Sequence, residues 1–329
     1  MYKYLLLGGA GVFAVNTARF LLELSETEKV VSVGRNIERG SFYTLDVGKD
    51  DKRYEYHQMH MVFELDRLFE LIDNVKPDFI INYAALAYAT SWEKSYRYYE
   101  TNLVSVAKIC EFLQEKTFLK KFVQIGTSEL YGSVDKPVNE NYPISPTSPY
   151  AVSKLATDLH LETMFKVKNF NMNILRPSNA YGPGQQVWRV IPKAALYGVT
   201  NKKFPLEGGG QVRKSYFHTR DLANAIYLVA KNGKPGETYN VGPKTTSSIS
   251  DLVKIVAQHL NINFEEFCEI KPGRIGEDKQ YWLDSSKIIS ELGWEHTVSL
   301  EEGILEVVNW VKKYKDDLLK QEDSFTLRA

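Results

Sequence analysis

Short apolar runs alternate with stretches in which apolar side chains recur at helical spacing through the first half of the chain. Tyr4-Leu-Leu-Leu7, Val30-Val-Ser-Val33, Phe79-Ile-Ile81, Phe122-Val-Gln-Ile125 and Asn173-Ile-Leu175 read as buried strands. Helical patterns follow the first run, through Val15, Ala18, Leu21 and Leu22, and lie near Glu64–Asn74, Tyr99–Glu115 and Tyr150–Lys166. This alternation predicts an α/β fold of βαβ units, with a doubly wound parallel sheet whose strand C-termini share one ligand-binding edge. After Asn179 the spacing loosens, with loops at Tyr181-Gly-Pro-Gly184 and Glu207-Gly-Gly-Gly210. The expected organisation is therefore a doubly wound domain over 1–176 and a smaller α/β domain over 177–329. Segments near 215–231, Ser215-Tyr-Phe-His218 and a helix Asp221–Lys231, are expected to return to the first domain. No internal repeat is present, and the charged tail after Trp310 reads as a fraying helix.

The 329 residues allow about two domains, and the formal net charge of zero gives no basic excess for nucleic acid or an anionic membrane. No apolar run approaches the roughly 20 residues of a membrane span, and the N-terminus lacks the basic flank of a signal peptide. A cytoplasmic protein is the expectation. Its two cysteines, Cys110 and Cys268, read as free thiols in that reducing setting. The six histidines show no metal spacing, and His57 and His60 lack further ligands nearby, so no metal is expected.

The first strand runs directly into Gly8-Gly9-Ala10-Gly11-Val12-Phe13-Ala14 and then into a helical pattern. Strand, glycine turn and helix is the context of a dinucleotide site. Gly8 permits the tight turn, Gly11 lets backbone approach a pyrophosphate, and the free N–H groups at Val12 and Phe13 face the anion. Ala14, in the third glycine position, is still small enough for close helix–strand packing. After the second strand stand Gly34, Arg35 and Asn36, with Arg39 beyond, where an NAD site often carries an acid for the ribose 2′-hydroxyl. Guanidinium there suits a 2′-phosphate, so NADP is expected over NAD.

Tyr150 and Lys154 stand four apart at the start of an apolar-periodic helix, so phenol and ammonium can meet over one site. A lone pair of this spacing is usually a surface pair, but the dinucleotide motif changes its weight. An unperturbed tyrosine has a pKa of about 10, and a neighbouring cation is expected to lower it. The phenol could then take a hydroxyl proton while hydride leaves the same carbon.

Together these residues resemble the extended short-chain dehydrogenases/reductases, specifically the nucleotide-sugar 4,6-dehydratase and epimerase group. The resemblance rests on Gly8-Gly-Ala-Gly11, Asn82-Tyr-Ala-Ala85, Thr101-Asn102, Thr127-Ser-Glu-Leu-Tyr-Gly132, Tyr150/Lys154, Arg176-Pro-Ser-Asn179-Ala-Tyr-Gly-Pro183, and Trp282-Leu-Asp284 before Glu291-Leu-Gly-Trp294. It implies a Rossmann fold with Ala84 beside the cofactor, along with Tyr150 and Lys154. It also implies that Thr127 bonds the C4 oxygen, Glu129 acts as base, and Asn179 meets the diphosphate. Ser91 and Asn102 would organise the pocket. Thr127-Ser-Glu is similar to GDP-mannose 4,6-dehydratases, which use NADP, whereas glucose-type dehydratases carry aspartate where Ser128 stands. Arg213 and Arg274 are candidates for the nucleotide end, since guanidinium matches phosphate oxygens; Lys279 competes with Arg274. A homodimer, or dimer of dimers, through the helices near 99–115 and 150–166 is implied as well.

The implied reaction converts an NDP-hexose, GDP-linked mannose or N-acetylglucosamine in type, to its 4-keto-6-deoxy sugar. Oxidation at C4 gives a ketone that acidifies the C5 hydrogen, a carboxylate removes it, water leaves from C6, and the reduced cofactor returns its hydride to C6. A UDP-glucuronate decarboxylase is the runner-up; it needs a cation facing C6, for which no position stands out in the sequence. A 4-epimerase is third. A non-catalytic NADP-binding regulatory or scaffold protein shares the fold, but would not need Thr127, Glu129, Tyr150 and Lys154 together.

Overall fold

A computed structural model describes residues 1–36, 40–87, 92, 94–273 and 280–324. Strands β1 (Tyr2–Leu7), β2 (Thr27–Gly34), β3 (Tyr54–Gln58), β4 (Phe79–Asn82), β5 (Lys121–Ile125) and β6 (Met172–Pro177) form one parallel sheet. Helices α1 (Val12–Glu23), α2 (Ser41–Thr44), α3 (Leu65–Val75), α4 (Tyr96–Tyr99), α5 (Ser105–Leu113) and α6 (Pro149–Lys168) connect them. The sheet has seven strands in the order β11-β6-β5-β4-β1-β2-β3. Its last member, β11 (Thr238–Val241), pairs with β6 in parallel.

Because side chains alternate along a strand, β1 feeds both faces of the sheet. Tyr4 and Leu6 join the cluster under α1 and the later helix α8 (Thr219–Asn232). Leu5 and Leu7 join the cluster under α3, α5 and α6. Burial on both faces explains the nearly unbroken apolar runs in the sequence. The expected helix 99–115 begins earlier and contains a π-helical turn, Glu100–Val104, between α4 and α5. Such turns stretch a helix where a side chain demands it. Here Asn102 is fully buried, accepting from Leu86 N–H (2.8 Å) and donating to Leu86 C=O (3.0 Å) and Ser153 Oγ (2.9 Å).

The remaining chain forms β7 (Asn179–Tyr181), α7 (Val190–Val199), β8 (Phe204–Glu207), β9 (Arg213–Lys214), β10 (Tyr216–His218) and, after β11, helix α9 (Ile249–Leu260). Of the expected returning segment, β10 pairs with β7 in a separate two-stranded sheet, and α8 packs under the main sheet. A third apolar cluster joins α7, α9 and helix Leu300–Lys313, and residues Phe42, Tyr43 and Leu45 pack against it. At the sheet's outer edge, Lys287 donates to Thr238 C=O (2.7 Å), and Asn240 N–H donates to Glu140 (2.7 Å). Lys121, only 5% exposed, donates to Val229 and Gly233 carbonyls at the end of α8, where a helix favours positive charge. Burial pushes its ammonium down to about 8. Both cysteines are free. No helix among the described residues is long and apolar enough to cross a membrane.

Candidate active site

The glycine turn forms between β1 and α1. Gly8 has φ +83°, and a Cβ there would lie 2.7 Å from Ala84 N, so only glycine lets the two backbones meet. Gly11, by contrast, would bring a Cβ near only one atom, Gly8 C=O at 3.3 Å. It is also the N-cap of α1 and supplies no side-chain cap, leaving the Val12 and Phe13 end for an anion. At the end of β2, Tyr56 donates to Asn36 C=O (2.6 Å) and Gln58 Nε2 to Arg35 C=O (3.2 Å). These bonds fix the backbone and leave the Arg35 side chain exposed, and residues 34–36 carry no carboxylate. An open glycine cradle, an uncapped helix start and a cation at the far end fit a dinucleotide. Arg39 lies outside the described residues.

Ser148 caps α6, accepting from Ala151 N–H (3.1 Å), and Pro149 occupies the first turn. This start fixes Tyr150 (8% exposed) and Lys154 (2% exposed) above the end of β5. Lys154 Nζ donates to Ile125 C=O (2.6 Å), and burial pushes it down to about 8, with Asp158 opposing. Asp158 is itself paired with Arg176, whose Nε lies 3.0 Å away. Thr127 caps the short turn Ser128–Tyr131 and is hydrogen-bonded to the Tyr150 phenol. Tyr98 meets the Tyr150 ring edge-on at 6.4 Å.

The Tyr150 pKa is raised, not lowered as its neighbouring cation led us to expect. Burial, followed by the charge of Glu129, pushes the phenol up, and only Thr127 and Arg189 oppose. The physical reason is geometric: the Lys154 ammonium is spent on the Ile125 carbonyl, while the nearest strong field on the phenol is a carboxylate. The same finding brings Thr127, Glu129, Tyr150 and Lys154 to one place at the C-terminal end of β5.

Arg189, at the start of α7, was not singled out by sequence. The residue is exposed, and its guanidinium lies over the Trp188 ring at 4.3 Å. Desolvation lowers its pKa, against the fields of Tyr216, Glu129 and Tyr150, and a guanidinium remains charged regardless. No motif marks Arg189; only the Trp188-Arg189 step before an apolar helix hints at it. Tyr98 had a usable signal, standing four before Asn102 on one helix face.

Among the substrate candidates, Ser128 is buried beside Glu129, and the Asn179 Oδ1 is buried without a hydrogen-bond partner. Arg213 is exposed and committed to Thr246, donating to its carbonyl (2.6 Å) and hydroxyl (3.0 Å), with Asp251 at 3.7 Å. Ser91, Arg274 and Lys279 lie outside the described residues.

A parallel Rossmann sheet with a glycine cradle, a buried Tyr/Lys helix and a Thr-capped turn beside them defines an extended short-chain dehydrogenase/reductase. Residues 5–307 match the model of the GDP-mannose 4,6 dehydratase family, and the chain belongs to that family. The chain is 28% identical over 326 residues to the dTDP-D-glucose 4,6-dehydratase of Mus musculus, an alignment covering 94% of this chain and 89% of the relative. It is 27% identical to the solved dTDP-glucose 4,6-dehydratase of Bacillus anthracis in complex with NAD, with TM-score 0.87 and 96% and 98% of the two chains covered. A solved UDP-glucuronic acid 4-epimerase of Bacillus cereus, 24% identical, shares the fold with TM-score 0.85 over 94% of this chain and 99% of that one.

Proposed function

We propose that this protein is a nucleotide-sugar 4,6-dehydratase, and that Glu129 beside the Tyr150–Lys154 pair carries the reading. The working division is a dinucleotide-binding unit over 1–176 and a substrate unit over 177–329. When bound, a nicotinamide dinucleotide would accept the C4 hydride and give it back to C6 after water loss, so that the cofactor is restored and the sugar leaves as the 4-keto-6-deoxy product. Thr127 and Tyr150 hold the C4 oxygen, and the phenol takes its proton as hydride departs. Thr127 and Arg189 are the groups that favour the phenolate, while Lys154, buried beneath, is bonded to the Ile125 carbonyl. Glu129 then removes the proton that the new ketone has acidified at C5, and hydroxide leaves C6 with a proton as water. With serine at position 128, Glu129 is the carboxylate able to carry the C5 proton to that oxygen. The family model and the mouse and Bacillus anthracis relatives support dehydration.

The test is Glu129→Gln. Dinucleotide binding and C4 oxidation should persist, while loss of water, read as an 18 Da change by mass spectrometry, should fall by about 10²–10⁴. Near-normal dehydration would remove Glu129 from the mechanism. The sugar reading is GDP-linked, of mannose or N-acetylglucosamine type, carried by Thr127-Ser-Glu; a side-by-side screen against dTDP-glucose decides it by turnover. Arg35 carries the NADP reading, and titration with both dinucleotides checks it, tighter NAD binding overturning it.

One observation favours a second reading. Arg189 provides a cation beside Tyr150 and Glu129, the feature a UDP-glucuronate decarboxylase needs opposite C6. Loss of carbon dioxide rather than water from UDP-glucuronate would establish it. A homodimer is also part of the proposal: Val152 and Leu159 lie seven apart on α6, both exposed, and Val104 is exposed on the neighbouring π turn. Light scattering at micromolar concentration should give twice the chain mass.

A further inference from the structure

Asn16 lies one turn inside α1, the helix whose start faces the dinucleotide site. Its amide nitrogen donates to Val12 C=O (2.9 Å) in the same helix and to Pro183 C=O (3.2 Å) in the loop after β7. Two carbonyl neighbours fix the orientation of the amide, and the residue is only 8% exposed. The same loop is held from a second side. Gly184 has φ +83°, and a Cβ there would lie 3.0 Å from Tyr43 C=O and 3.4 Å from Leu45 Cδ1. Tyr43 belongs to α2, which follows the loop at the far end of the dinucleotide site. The carbonyl of its neighbour Phe42 accepts from Trp310 Nε1 (2.7 Å). A third wall stands at Gly182, where a Cβ would lie 2.2 Å from Thr219 Oγ1. The loop thus touches both α1 and α2, and its outgoing limb carries Arg189, whose charge acts on Tyr150 and Glu129.

We propose that Asn16 is a positioning residue that ties the dinucleotide-binding helix to loop 182–189, so that a filled cradle holds Arg189 against the Tyr150–Glu129 pair. Nucleotide sugar then meets a finished pocket only in dinucleotide-loaded protein. This last step rests on Arg189 meeting the sugar, a role it has above only in the second reading; the link between cradle and loop does not. Coupling of this kind between two sites is typically worth about 5- to 150-fold in affinity.

Hydrogen exchange read by mass spectrometry tests the link without any sugar. Wild type and Asn16→Ala are compared with and without NADP or NAD, whichever binds tighter. In wild type the dinucleotide should slow exchange at least about fivefold both at residues 8–16 and at residues 182–190. In Asn16→Ala the slowing should persist at 8–16 and vanish at 182–190. No slowing of the loop in wild type, or equal slowing in the variant, overturns the proposal. Should Asn16→Ala misfold, Asn16→Asp keeps the shape, removes the donor and gives the same comparison. In turnover, the variant should raise KM for the nucleotide sugar about fivefold or more while the dinucleotide Kd stays within about twofold. Failure to turn over any sugar would count against the dehydratase reading and leave the exchange result standing.

Discussion

Helix α6 and the arm at β9 place their candidate residues in opposite settings. Tyr150 and Lys154 are 8% and 2% exposed on a 20-residue helix, capped at its start and packed against the sheet. Arg213 stands exposed on a two-residue strand, bonded to Thr246 and near Asp251. Groups that move a proton must keep their geometry to fractions of an ångström, and buried helices supply that. Groups that grip a nucleotide can tolerate a looser frame. One scaffold can therefore hold a rigid buried helix and, apart from it, an exposed arm that is free to vary.

Three variants break or sharpen this contrast. The largest effect is expected for Tyr150→Phe, which deletes the proposed proton acceptor on the rigid side. The rate of C4 oxidation, followed by absorbance of the reduced dinucleotide, should fall by about 10²–10⁴, with dinucleotide affinity unchanged. A smaller loss would move the proton to another group.

Next is the electrostatic strain stored in the rigid half. Lys121 is pushed down to about 8 by burial, whereas an unfolded lysine titrates near 10.4. Between those values the unfolded chain binds more protons, so stability should rise with pH, on the order of 1 kcal/mol per pH unit for this group. Urea unfolding from pH 8 to 10 should show that slope in wild type, and Lys121→Met should lack the Lys121 share. An unchanged slope in the variant would assign the effect elsewhere.

The smallest effect is expected on the arm. Arg213→Ala removes an exposed cation whose ion pair contributes about 0–1 kcal/mol. KM for the nucleotide sugar should rise by no more than about fivefold, with kcat and unfolding midpoint unchanged. A large fall in kcat would show that the arm shares in the chemistry after all.

The same contrast explains what could be read from residues alone. Strands β1, β2, β4, β5 and β6 were legible because burial on both faces leaves continuous apolar runs. Edge strands β3, Tyr-Glu-Tyr-His-Gln, and β11, Thr-Tyr-Asn-Val, carry polar residues and escape that pattern. The π turn at Glu100–Val104 was invisible because no local pattern marks it, and its buried Asn102 bonds Leu86 and Ser153, distant in sequence. Thr127, Glu129, Tyr150 and Lys154 could be listed from spacing and resemblance. The sign of the Tyr150 shift could not, since it depends on where Lys154 donates and on the field of Glu129. Arg189 stayed hidden because α7 brings it to the site from far along the chain.

The Lys287 and Glu140 contacts on β11 have a consequence for assembly. An outermost strand with free amides and carbonyls invites a neighbouring molecule to add itself to the ladder. Here a lysine and a glutamate occupy those valences at Thr238 and Asn240 and end the ladder at seven members. Growth of the sheet into fibrous stacks is discouraged at this border.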